Sequence, residues 1–308
     1  MSTLIVGDIH GCWDEFRELL DLASIGKGDR IIALGDIVDR GPDSAALLEF
    51  FRSQPHAESL QGNHERKHFR SFRGELKPAL SQTLAREQIG EQAYPGACEF
   101  MASLPEFIEL PNALLVHGFF EPGVPVREQR TTVIVGTLSG EFRLQRNYDH
   151  PWYELYDGEL PIIAGHRDYL LTGRPLVHLG RVFGIDTGCC KGGRLTGLLL
   201  PEFRFVSVAA RKDYWAEASV SRRNCGPADR RSRKPRKPRP SVSPAAPPRL
   251  VRGRHLVECG MTPGPGFGPI LQECYDAQLA GKISTLAEGI DMVRARVRPT
   301  SESTERGM

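Results

Sequence analysis

Metal-ligand side chains recur beside glycines at a spacing that admits few folds. Gly7-Asp8-Ile9-His10-Gly11, Gly35-Asp36-Ile37-Val38-Asp39-Arg40-Gly41 and Gly62-Asn63-His64-Glu65 follow one another, and His117-Gly118 and Gly165-His166 come later. Twenty-five residues lie between His10 and Asp36 and twenty-six between Asp36 and Asn63. That is about the length of one strand–helix–strand unit. Repeating the unit brings the same end of each strand to one edge, so these segments can converge. A converging set of Asp8, His10, Asp36, Asn63, His117 and His166 is enough to hold two divalent cations.

The segments before these ligands read as buried strands. Leu4-Ile5-Val6, Arg30-Ile31-Ile32-Ala33-Leu34, Glu58-Ser59-Leu60-Gln61, Ala113-Leu114-Leu115-Val116 and Pro161-Ile162-Ile163-Ala164 are short runs, most of them apolar. Further strands are expected over 181–185, 195–200 and 203–208. A helix is expected from Trp13 to Ala23, with Trp13, Phe16, Leu19, Leu20 and Ala23 on one face. Asp43 or Ser44 caps a second helix carrying Ala46, Leu47, Phe50 and Phe51. Residues 66–105 read as a helical cap beside the site, and 120–160 reads as a loop. Strand–helix alternation followed by strands in series predicts an α/β fold with two packed sheets and outer helices.

The ligand set suits phosphate chemistry. A phosphate ester resists attack because its oxygens are negative and its leaving group is poor. Two cations about 3.5–4 Å apart answer both problems. A carboxylate must bridge them, and Asp36 is the best candidate. Imidazole ligands suit Mn, Fe or Zn rather than Mg or Ca. Leaving-group departure needs a proton donor, a role for which His64, next to Asn63, is placed. Asp39 can hydrogen-bond that imidazole, and Arg40 offers a planar fork to phosphate oxygens.

GDxHG, GDxxDRG and GNHE together resemble the calcineurin-like metallophosphoesterases, in particular their phosphoprotein-phosphatase-like branch, over about residues 3–210. The resemblance implies a four-layer αββα sandwich of two mixed sheets with a dinuclear site at the strand ends. It implies that Asp8, His10 and Asp36 bind one metal, and that Asp36, Asn63, His117 and His166 bind the other. Manganese is the expected ion, with Fe, Zn or Ni as alternatives. His64 is then the general acid with Asp39 as its partner, Arg40 binds phosphate, and hydroxide held between the metals is the nucleophile. The branch also uses a second arginine between its last two histidine ligands. Arg143 and Arg146 lie in that interval without a motif, and Arg167 follows His166. Asp186-Thr187-Gly188 through Gly192-Gly193-Arg194-Leu195-Thr196 resembles a glycine-rich hairpin of bacterial members. His56, His68, His150, His178 and His255 match no motif and read as surface or packing residues.

Charge divides the chain unevenly. Residues 222–239 hold nine Lys/Arg against one Asp. This basic, Pro-rich stretch reads as a disordered linker that either spaces two domains or binds phosphate backbones by counterion release. The expected organisation is a catalytic domain over 1–212, a linker over 213–250, a helical module over 251–298 and a disordered end over 299–308. The module, with Pro263-Gly264-Pro265-Gly266 and Phe267, Ile270, Leu271, Cys274, Tyr275 and Leu279 at helical spacing, resembles the C-terminal segment of bacterial tRNA nucleotidyltransferases. That resemblance implies an RNA-contacting or helix-packing accessory module, and the charge of residues 222–239 adds a second expected RNA contact.

Seven irregularly spaced cysteines without a CxxC pattern read as free thiols. With no basic leader and no membrane-length apolar run, a cytoplasmic protein is expected. Serine/threonine phosphoprotein hydrolysis ranks first among substrates. Symmetrical dinucleoside-tetraphosphate hydrolysis and RNA-end dephosphorylation follow. A non-catalytic nucleic-acid scaffold is disfavoured by the complete ligand set.

Overall fold

The computed structural model describes residues 2–224, 250–251, 255–256, 259 and 267–297. The chain divides into two units, Met1–Ala228 and Asp229–Met308. In the first, the order is β1 (Thr3–Val6), α1 (Trp13–Leu22), β2 (Arg30–Ala33), α2 (Ser44–Ser53), β3 (Ala57–Ser59), α3 (Asn63–Phe72), α4 (Leu80–Ile89), α5 (Tyr94–Ser103), β4 (Phe107–Leu110), β5 (Ala113–Val116), α6 (Thr131–Ile134), α7 (Leu138–Asn147), β6 (Ile162–Ala164), β7 (Leu176–His178), β8 (Val182–Gly184), β9 (Arg194–Leu200), β10 (Arg204–Ala209) and α8 (Tyr214–Asn224).

Two mixed sheets form, ordered β10-β9-β1-β2-β3 and β4-β5-β6-β8-β7. β1, β2 and β3 run parallel, with Ile5 opposite Ile32 and Ile32 opposite Glu58. β5, β6 and β8 are also parallel, with Leu115 opposite Ile163 and Ile163 opposite Phe183. Antiparallel strands close both edges of the second sheet and the β10 edge of the first, while β3 ends the first sheet parallel to β2.

Side-chain alternation decides the layers. Ile5, Ile32, Leu115, Ile163 and Leu198 meet between the two sheets. Their neighbours Leu4, Val6, Ile31 and Ala33 turn outward onto Phe16, Leu19, Leu47 and Phe51 of α1 and α2. On the other side Leu114, Val116, Ile162 and Ala164 pack with Val133, Ile134 and Leu144 of α6 and α7. The result is helices, sheet, sheet, helices. Fully buried strands explain why these runs are apolar without alternation.

Three expectations need amendment. The 120–160 stretch contains α6 and α7, whose inner residues Val133, Ile134 and Leu144 are buried. β4 and β7 escaped the sequence reading because both are short edge strands with half-exposed faces. Helix α8 occupies Tyr214–Asn224, inside the stretch read as linker from 213. Asp213 Oδ1 accepts from the Ala216 N–H at 2.8 Å and caps it. Tyr214 anchors it through a 2.7 Å hydrogen bond from its hydroxyl to the buried Glu15.

In the second unit, α9 (Phe267–Leu279) spans the positions expected at helical spacing, and α10 (Leu286–Val297) follows it. They bury Cys274, Ala277, Ile283 and Val293 with Val251 and Leu256. The basic run 230–239 lies outside the described residues. Six cysteines, Cys12, Cys98, Cys189, Cys190, Cys259 and Cys274, are free thiols. Among the described residues no helix is long and apolar enough to cross a membrane.

Candidate metal centre

All six expected ligands follow the C-terminal ends of β1, β2, β3, β5 and β6, five of them on loops and Asn63 as the first residue of α3. The two sheets are tied there by Asp8, whose Oδ1 accepts from the His166 N–H at 2.7 Å. Asp36 sits at the middle. Its Oδ2 is 3.5 Å from His10 Nε2, and its Oδ1 is 3.4 Å from His117 Nε2. One carboxylate therefore faces two donor sets, with a different oxygen toward each. His10, Asp36 and His64 form one cluster, and Asp36, His117 and His166 the other.

The imidazoles are oriented by their far nitrogens. His10 Nδ1 donates to the Val38 carbonyl at 2.8 Å, and His117 Nδ1 donates to the Leu34 carbonyl at 2.8 Å. Each bond turns Nε2 inward, the orientation a ligand requires. The Asn63 oxygen lies 3.2 Å from His117 Nε2 and 3.0 Å from His166 Nδ1. Hydrogen bonding within the protein alone would favour the reverse amide orientation, with its nitrogen toward these imidazoles and its oxygen 3.2 Å from Lys67 Nζ. Three lone-pair donors pointing at one place fit a cation. The residues present thus suit the two metals that the family resemblance implies.

Backbone conformation aims several of these groups. His10, Asp36, Asp39, Arg40 and His166 all have positive φ, between 49° and 75°. For residues other than glycine this costs roughly 1–2 kcal/mol each. Packing around the loops holds them there. The Glu65 carboxylate, fully buried, accepts from the N–H groups of Asp36 at 2.8 Å, Ile37 at 2.9 Å and Gly62 at 2.9 Å. Gly62 is obligatory, because a Cβ there would lie 2.2 Å from Asp36 Oδ1. Gly41 is equally confined, its Cβ position being 2.0 Å from the His10 carbonyl oxygen.

Electrostatics separate the histidines. Burial, reinforced by Arg40, holds His10 well below its ordinary range. Burial beside His117 pushes His166 down to about 3. Burial would also lower His117, but the adjacent Asp36 carboxylate outweighs it and pushes His117 up to about 10. Asp36 is itself held well below the usual carboxylate range, since His117 and His64 outweigh its burial. Burial, then the Asp186 charge, raises Asp8. Burial and Asp36 push Glu65 up to about 7 despite its backbone donors.

A metal-binding prediction arises from His117. Its proton must leave before its Nε2 lone pair is available. Titrating manganese into metal-free protein should therefore release a proton, and apparent affinity should rise with pH toward about 10. Calorimetry in buffers of different ionisation enthalpy reads both effects. Heats that ignore the buffer, with affinity flat in pH, would remove His117 from the ligand set.

Arg40 enters the centre from the side. Its Nη1 donates to His10 Nε2 at 2.7 Å and its Nη2 to His64 Nε2 at 2.9 Å. His64 Nδ1 in turn donates to Asp39 Oδ2. The expected trio of His64, Asp39 and Arg40 is thus assembled next to the expected ligands. Cys190 is buried against Arg40, consistent with a near-site packing role for the Cys189-Cys190 pair.

The second-arginine candidates are not in the centre. Arg143 forks onto Glu121 at 2.8 and 3.0 Å, and Arg167 pairs with Glu141. Arg146 is exposed on α7. Acids on neighbouring elements capture Arg143 and Arg167, which spacing along the chain does not reveal. Conversely, His68, read as a surface or packing residue, is fully buried and also bonded to Asp39. Its position one helical turn after His64 was the available signal. Glu65, the last residue of GNHE, organises these loops and was not singled out by the sequence pattern.

Residues 1–178 match the family model described as calcineurin-like phosphoesterase. Over 244 residues the chain is 30% identical to the bis(5'-nucleosyl)-tetraphosphatase PrpE [asymmetrical] of Oceanobacillus iheyensis, covering 70% of this chain and 96% of that protein. It is 31% identical over 246 residues to the protein of the same name from Halalkalibacterium halodurans, covering 69% and 96%. A solved structure provisionally named as a diadenosine tetraphosphatase has a TM-score of 0.56 at 26% identity, covering 68% of this chain and 93% of that one.

Proposed function

Since this chain belongs to the calcineurin-like phosphoesterase family and is a phosphoester hydrolase, we propose that it hydrolyses dinucleoside tetraphosphates at the centre around Asp36. Asp8, His10, Asp36, Asn63, His117 and His166 are the proposed metal ligands, and manganese the proposed ion. Two such cations, when bound, supply Lewis-acid activation of water and of phosphate oxygens.

The protein's own groups do the rest. His10 and His117 are locked by backbone carbonyls so that their Nε2 lone pairs need no reorganisation. Arg40 presents two N–H groups from one planar fork, and phosphate oxygens take them in place of the imidazole lone pairs. His64 is held through Nδ1 by Asp39 with its Nε2 toward the centre; once phosphate oxygens draw Arg40 away, that Nε2 lone pair takes a proton from solvent and passes it to the departing oxygen. The observation that carries this reading is Asp36, whose two oxygens address two donor sets at 3.5 and 3.4 Å.

The substrate order differs from that expected of the sequence, which put phosphoserine and phosphothreonine first and symmetrical cleavage next. Support for the new order comes from the two relatives, each aligned over 96% of its length and each named as an asymmetrical tetraphosphatase. RNA contact through residues 222–239 rests on charge alone, and residues 225–249 lie outside the described residues. A cytoplasmic nucleotide pool is the setting this reading supposes.

The test is product analysis with the full-length, manganese-loaded protein. Water added across the terminal anhydride of diadenosine tetraphosphate yields AMP and ATP, whereas central cleavage yields ADP alone. AMP and ATP are expected. ADP alone would reinstate symmetrical cleavage. Phosphate release from a phosphoserine peptide or from phosphorylated RNA ends, with the tetraphosphate untouched, would overturn the proposal.

A further inference from the structure

We propose that His68 is a positioning residue for the His64 proton donor, acting through the carboxylate that the two histidines share. The inference rests on the reading of His64 as general acid. Asp39 is fully buried, and its two oxygens have different partners. Oδ2 accepts from His64 Nδ1 and from Ser81 Oγ, the latter at 3.1 Å. Oδ1 accepts from His68 Nε2 at 2.8 Å.

An ionised carboxylate can only accept, so His68 carries its proton on Nε2. Its Nδ1 is then the acceptor for the Tyr94 hydroxyl, 3.0 Å away on α5. His64 and His68 stand one turn apart on the same face of α3, so one rigid helix presents both imidazoles to the Asp39 carboxylate. The Asp39 backbone N–H is held as well, by Ser44 Oγ at 3.1 Å. Tyr94, His68, Asp39 and His64 thus form a buried chain that ends at the centre.

The geometry gives His68 a definite task. A carboxylate bonded only through Oδ2 can rotate about its Cβ–Cγ bond and swing that oxygen out of the His64 plane. Pinning Oδ1 fixes the carboxylate plane and therefore the direction of His64 Nε2. Although burial pushes Asp39 up, His64 and His68 outweigh it and hold the carboxyl far below its usual range. Without His68, a buried carboxylate oxygen loses its donor. Asp39 then relaxes toward Ser81 or takes a proton, and either change loosens its hold on His64.

A residue that merely satisfies a buried acid for folding would not discriminate between substrates. The experiment therefore compares an aryl phosphate with an alkyl phosphate, whose alkoxide leaves only when protonated. The full-length, manganese-loaded protein and its His64→Asn, His68→Leu and His68→Gln variants are assayed for kcat, KM and bound metal. For His68→Leu we expect kcat on the alkyl ester to fall about 10–100-fold, with the aryl ester, KM and metal content little changed. His68→Gln, which can keep an N–H donor to Asp39, should recover most of the loss. If His64→Asn shows no preference for the alkyl ester, the general-acid reading itself fails. If His64→Asn shows that preference while His68→Leu slows both esters equally or neither, the positioning role of His68 is overturned. Should His68→Leu not fold, Tyr94→Phe takes its place: the same alkyl-selective loss supports the proposal, and an equal or absent loss overturns it.

Discussion

Replacing Asp36 by asparagine should abolish hydrolysis of every phosphoester substrate while leaving a folded protein that binds metal poorly. The substitution is clean for two reasons. Asn tolerates the left-handed backbone at this position, where φ is 49°. It also has the shape of Asp and retains an oxygen that can accept from the His64 N–H, a bond of 2.9 Å in the native protein. What it loses is negative charge on both oxygens. Each oxygen addresses a separate set of lone pairs, at 3.5 Å from His10 and 3.4 Å from His117. An amide offers one oxygen and one N–H₂ group, so at most one set keeps its partner and the other meets a donor. A loss on the order of 10⁴-fold or more is expected, as for a residue without which the other groups have nothing to act on. Metal analysis after gel filtration should find less than the native content. Native turnover with full metal content would remove Asp36 from the centre of the mechanism.

The second large effect concerns His64. His64→Asn should keep bound metal and lose rate, by about 10²–10⁴-fold on an alkyl phosphate. The loss should be least on an aryl phosphate, whose leaving oxygen departs without a proton. His64 is not counted among the ligands. Its Nδ1 is engaged by Asp39, and its Nε2 lies 4.0 Å from Asp36 Oδ2, farther than His10 or His117 from that carboxylate. A polyphosphate leaving group is stabilised as an anion, so the tetraphosphate should behave more like the aryl ester. Equal losses on all three substrates, or loss of metal with the side chain, would contradict the assignment.

The six proposed ligands were legible because their signal is local. A strand that is apolar on both faces ends at a glycine, and the next side chain is a ligand. That pattern can be read at Val6 to Asp8, Leu34 to Asp36 and Ala164 to His166 without knowing how the strands pair, and at Val116-His117-Gly118 the glycine follows the ligand instead. The two-sheet architecture followed from the same runs. β4 and β7 were not legible: Glu109 and His178 interrupt their apolar pattern, and pairing with β5 and β8 makes them strands. α6 and α7 were hidden for a related reason. α6 is four residues long, and α7 carries exposed Leu138 and Phe142 beside its buried Leu144.

Arginine and histidine roles depended wholly on tertiary contact. Arg143 and Arg167 had the right place in the sequence and the right chemistry, yet Glu121 and Glu141 hold them elsewhere. His68 had no motif, yet it reaches the carboxylate that holds His64. The sequence by itself determined the order of the proposed ligands and the strand ends that carry them, because covalent neighbours and side-chain period specify these. Only the tertiary structure decided which oxygen of Asp36 faces which imidazole, which residues adopt left-handed backbone, and which histidine shares Asp39. Those choices depend on sheet register, helix packing and loop closure, where positions far apart in the chain meet within a few ångströms and no local period records the meeting.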